Sequence, residues 1–97
     1  MKTISNEQLT IQVSPYGAEL CSILANGKEY LWQADPAFWK RHSPVLFPIV
    51  GSVWENQYRN EGIAYTLSQH GFARDMEFTL VSEKDDEVRS VSYTHLR

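Results

Sequence analysis

The 97 residues carry a net charge of −3, with 42% hydrophobic and 22% charged side chains. This length suits one domain with a thin stability margin. The acidic balance excludes attraction to nucleic acid or an anionic membrane through bulk charge. The single cysteine, Cys21, excludes an internal disulfide and leans towards a reducing compartment. "MKTISNEQLT" lacks the apolar run of a signal peptide, and no stretch approaches the roughly 20 apolar residues of a membrane span. A cytoplasmic protein with no membrane partner is the expectation.

In chain order, "LTIQV" alternates, with Leu9, Ile11 and Val13 on one face and Thr10 and Gln12 on the other. That pattern predicts a half-buried strand. Pro15 and Gly17 in "SPYGAEL" predict a turn. Apolar runs flank Asn26-Gly27, a dipeptide that favours positive φ at both centres of a tight hairpin turn. Cys21 lies in the first of these runs, where a buried, inert thiol is the commoner outcome.

"QADPAFWKRHSP" breaks the alternation. Asp35 can cap a single helical turn that has Pro36 at its first position and runs to Trp39. "PVLFPIVGSVW" is apolar but holds Pro44, Pro48 and Gly51. Prolines exclude a central strand or regular helix, so the segment is expected to cross the interior as buried, irregular chain. A second hairpin is predicted around Asn60-Glu61-Gly62 and a third around Asp85-Asp86, the latter with Met76, Phe78 and Leu80 on one face. About six short antiparallel strands make the fold class all-β, a sandwich or barrel.

The aromatic load sits uneasily on so few strands. Trp32, Phe38, Trp39, Phe47 and Trp54 fall close together in the sequence. They call for a deep core or a ligand cleft. Core packing is the expected use of at least two of the three tryptophans, and the chain reads as one wall of something larger.

The serines lie in no G-x-S-x-G elbow, there is no phosphate-cradling glycine loop, and His42, His70 and His95 lack zinc-ligand spacing. No metal site is expected. The best candidate site is "SQHGFARD", residues 68–75. Gly71 lets the backbone bend beside His70, so the imidazole can project from a sheet edge. Arg74, four residues on, can reach the same cleft and donate to sugar hydroxyls or a phosphate. The plainer readings are a turn histidine and an Arg74–Asp75 ion pair worth little. Lys40, Arg41 and His42 read as a solvated turn before they read as a pocket rim.

Taken together, "SPYGAEL", "EYLWQADPAFWKRHSPVLFPIVG" and "SQHGFARDMEF" closely resemble the opening third of the aldose 1-epimerase (galactose mutarotase-like) family. The resemblance is nearest to bacterial mutarotase-like proteins and their hexose-6-phosphate mutarotase relatives, and it covers about residues 8 to 85. It implies part of a large antiparallel β-sandwich with a sugar cleft on one concave sheet. The implied activity is interconversion of α and β anomers of an aldose, with a sugar or sugar phosphate as partner and no cofactor. A base removes the anomeric hydroxyl proton and an acid protonates the ring oxygen, so two tuned groups are needed.

By resemblance His70 holds a sugar oxygen near the ring and Arg74 helps to bind substrate. Many relatives place an arginine after the "FPxxG" segment, where this chain has Ser52. The family's acid histidine and base glutamate lie downstream of the segments matched here, and His95 stands in the wrong context to be that acid. The expectation is an N-terminal portion over residues 1–89, inactive alone. Ser90–Arg97 departs from the family pattern and resembles a translated sequencing-adapter segment. The expectation is therefore a non-native tail, with a genuine last strand built on Val91 and Tyr93 as the alternative. A non-catalytic carbohydrate-binding module and a β-edge interaction domain are the competing functions. Oligomeric state is not legible.

Overall fold

Turn chemistry sets the fold. The computed structural model describes residues 1–92, and the β3–β4 and β5–β6 strand pairs meet at tight turns of positive φ. β1 (Lys2–Ser5), β2 (Thr10–Val13), β3 (Leu20–Ala25) and β4 (Lys28–Glu29) form a four-stranded antiparallel sheet in that order. Asn26 and Gly27 take φ of 52° and 75° between β3 and β4, as the predicted hairpin requires. β5 (Gln57–Asn60) and β6 (Ile63–Thr66) form a separate hairpin turning at Glu61-Gly62. β7 (Thr79–Glu83) and β8 (Val88–Val91) form a third, turning around Asp85-Asp86.

β1 is a strand that alternation did not announce, because "KTIS" carries one large apolar residue. Its partner β2 supplies the ladder that holds it, with Lys2 opposite Val13. Its outer edge meets the third hairpin, where the Ser5 amide donates to the Asp85 carbonyl at 2.9 Å and Lys2 pairs with Glu83 at 3.1 Å. The predicted turn at Pro36–Trp39 forms as a hydrogen-bonded turn. Asp35 Oδ1 accepts from the Ala37 amide at 2.9 Å, and its carbonyl accepts from Phe38 and Trp39. Two short 3-10 turns that the sequence did not announce occupy Trp54–Asn56 and Ala73–Asp75.

The molecule is a thin slab. Its principal extents are 53 × 34 × 15 Å and its radius of gyration is 16.2 Å, against about 13 Å for a compact domain of 100 residues. One layer of sheet cannot enclose a large side chain. Among the described residues only Cys21, Leu67 and Ala73 are buried apolar side chains. Two expectations are corrected here. Residues 44–54 are irregular as predicted but not buried, since Val45, Leu46, Phe47, Val50 and Trp54 are all exposed. Nor does any tryptophan sit in a core, since Trp32, Trp39 and Trp54 are all exposed. The physical reason is the same in both cases: among the described residues no second layer covers this face.

Ser90 and Val91 pair with Leu80 and Thr79 in the third hairpin. His95 and Tyr93, and with them most of the tail set apart from the sequence, lie outside the described residues.

Candidate functional site

The three motifs that stand out in the sequence interlock at one place. The turn of "SPYGAEL" packs on the turn of "HGFARD". The Gly17 amide donates to the Met76 carbonyl, the Phe78 amide donates to the Pro15 carbonyl at 2.7 Å, and Tyr16 bridges Glu77. Gly17 has φ +76°, and a Cβ there would meet the Arg74 carbonyl oxygen at 2.7 Å. A side chain at this position is excluded twice, by backbone conformation and by space.

"LFPIVG" closes on the same turn from the other side. The Phe47 carbonyl accepts from the Phe72 and Ala73 amides at 3.0 and 3.2 Å, and Phe47 and Phe72 pack edge to face with centroids 6.2 Å apart. Gly71 has φ +77°, and a Cβ there would collide with the Phe47 carbonyl. Arg41 then reaches across to Asp75, with Nη2 3.1 Å from Oδ1. Asp75 therefore pairs with Arg41 rather than with its neighbour Arg74, the pairing the sequence suggested.

His70 is held by two opposed hydrogen bonds to one residue. Its amide donates to the Gly51 carbonyl at 2.7 Å, and its Nδ1 accepts from the Gly51 amide at 2.9 Å. A neutral imidazole that accepts at Nδ1 carries its proton on Nε2. The backbone of His70 is in the left-handed region, φ +62°, which costs a non-glycine residue about 1 kcal/mol or more. The Gly51 pair offsets that cost and fixes the ring.

Trp39, Pro44, Leu46, Gln69, His70 and Arg74 line one cleft of about 410 Å³. Arg74 Nη2 donates to the Gln69 carbonyl at 3.0 Å, while its buried Nε has no partner among the described residues. The cleft thus holds a histidine, an arginine, an indole and a glutamine amide beside Pro44 and Leu46, with no carboxylate among its described lining residues. Such a surface donates hydrogen bonds and can stack a ring, but it lacks a proton acceptor of carboxylate type.

The sequence placed His70 and Arg74 together, and they do share this cleft. It gave Lys40–His42 to solvent, whereas Arg41 and His42 are half-buried and joined to the knot. It passed over Glu19, which is buried and whose Oε1 accepts from the His42 and Ser43 amides at 2.8 and 3.0 Å. A lone glutamate next to a turn gives no periodic signal, and its partners lie 23 and 24 positions away. Cys21 is buried with its thiol pKa raised, first by burial and second by the Glu19 charge, so it is a poor nucleophile. Among the described residues no three His, Cys, Asp or Glu side chains gather as metal ligands, and no helix is long and apolar enough to cross a membrane.

Comparison with known proteins matches residues 1–97 to the aldose 1-epimerase family profile. The plasmid-encoded protein LacX of Lactococcus lactis subsp. lactis is 42% identical over 91 residues, covering 88% of this chain and 30% of LacX. Among solved structures, a galactose mutarotase related enzyme from Lactobacillus acidophilus superposes with a TM-score of 0.87 at 39% identity, over 90% of this chain and 30% of that one. A galactose mutarotase-like protein from Lactobacillus casei ATCC 334 gives 0.83 at 41% identity, over 88% of this chain and 30% of that one. The chain therefore spans about a third of the length of these relatives.

Proposed function

This chain belongs to the aldose 1-epimerase family, and from that premise we propose that it forms the gripping wall of a carbohydrate cleft in an aldose 1-epimerase-like protein. The parent activity is interconversion of the α and β anomers of an aldose. His70 offers Nε2–H to a sugar oxygen, Arg74 offers guanidinium donors to neighbouring hydroxyls or a phosphate, and Trp39 presents indole to the sugar ring. The single observation that carries the reading is the convergence of His70, Arg74 and Trp39 on one cleft, with the imidazole tautomer fixed by Gly51.

Anomer exchange needs a group that accepts the anomeric hydroxyl proton and one that delivers a proton to the ring oxygen. The described lining residues include no carboxylate. His70 already spends Nδ1 on the Gly51 amide, so it acts as a donor and not as the base. The proton-transferring pair belongs to parts of the fold that complete the remaining two-thirds of the relatives' length, and these 97 residues bind without turning over. Residues 1–89 carry the family portion in this reading, residues 90–97 are a non-native tail, and the setting is cytoplasmic.

Tryptophan fluorescence under galactose, glucose and glucose 6-phosphate titration tests the proposal. Saturable quenching by at least one sugar is expected, and its loss in His70→Ala. A flat response to all three, or an undiminished response in His70→Ala, contradicts it.

A further inference from the structure

Glu19 is buried, with only 9% of its surface exposed, and burying a carboxylate is costly unless hydrogen bonds compensate. The compensation here is entirely directed at one distant loop. Oε1 takes both the His42 and Ser43 amides, and His42 Nδ1 stands 3.6 Å from the same oxygen. Ser43 Oγ adds a bond to the Leu20 carbonyl at 2.7 Å. The loop so held begins at Trp39, whose carbonyl accepts from Trp32 Nε1 at 2.7 Å, and continues to Pro44 and Leu46. These three residues line the same cleft as His70 and Arg74.

We propose that Glu19 is a positioning residue: its buried carboxylate latches the 39–46 loop at the His70–Arg74 cleft. Arg41–Asp75 is the weaker, solvent-exposed half of the same closure. The latch does not depend on what the cleft binds. Its consequence for sugar affinity rests on the carbohydrate reading above.

The amide that Glu19 holds at His42 belongs to the Arg41–His42 peptide bond, which is a trypsin site. Cleavage there requires the loop to leave the carboxylate, so its rate reads the latch directly. Glu19→Ala is expected to speed cleavage after Arg41 about tenfold relative to cleavage after Arg59 in β5, the size of effect that lost charge-assisted hydrogen bonds produce. Glu19→Gln keeps one acceptor oxygen for both amides and should stay within about twofold of the unsubstituted protein. No selective change after Arg41 in Glu19→Ala overturns the proposal.

Hydrogen exchange on the unsubstituted protein decides the matter if Glu19→Ala fails to fold. The His42 and Ser43 amides should exchange at least about tenfold more slowly than that of exposed Lys40; equal rates overturn the latch. In the sugar arm, Glu19→Ala should weaken the fluorescence change produced by whichever of galactose, glucose and glucose 6-phosphate quenches the unsubstituted protein, and Glu19→Gln should retain it. A chain with no sugar response at all contradicts the carbohydrate reading, while the protease and exchange results still decide the latch.

Discussion

The interlocked loops around His70 and the β5–β6 hairpin are held in different ways. In the knot, backbone and side chain lock to partners far away in sequence: Gly51 to His70, Phe47 to Phe72, Gly17 to Met76, Glu19 to Ser43. In the hairpin, the bonds run between its own two strands, and its main side-chain packing is the Tyr58–Tyr65 stack at 5.3 Å. Trp54 and Ile63 beside it are 85% and 57% exposed. Site geometry in this chain comes from polar interlocking of loops. Hydrophobic cover contributes little, because the described residues form no second layer to provide it.

The largest test of that contrast is Gly71→Ala. The new methyl would collide with the Phe47 carbonyl at a backbone φ of +77°, and a loss of more than about 3 kcal/mol in urea unfolding is expected. His70→Ala comes next. It removes the acceptor for the half-buried Gly51 amide, at a cost of about 1–3 kcal/mol, together with the sugar response. Asp75→Asn weakens an ion pair whose partners are 29% and 47% exposed, so less than about 1 kcal/mol is expected. Ile63→Thr in β6 should move stability by no more than about 0.5 kcal/mol. If Ile63→Thr proved as damaging as Gly71→Ala in the same urea series, the distinction between the two regions would collapse.

The sequence announced the three hairpins because their turns need particular residues. Asn26-Gly27 and Glu61-Gly62 mark positive φ in the text of the chain itself. It also announced His70 and Arg74, through the glycine between them and the resemblance of the surrounding motif. What it could not announce was contact at a distance. Arg41–Asp75 joins positions 34 apart, Glu19 reaches 24 positions to Ser43, and neither pairing leaves a periodic trace. The tryptophans misled for a related reason. Ring size argues for cover, but cover is a property of the whole sandwich, and this chain spans about a third of its relatives' length.

We propose that these residues grip a sugar without the pair of groups that moves its protons. Polarimetry of freshly dissolved α-D-galactose and α-D-glucose with the 97-residue chain tests it most directly. The account predicts relaxation at the buffer rate at every protein concentration. Acceleration that scales with protein concentration and disappears in His70→Ala would contradict it.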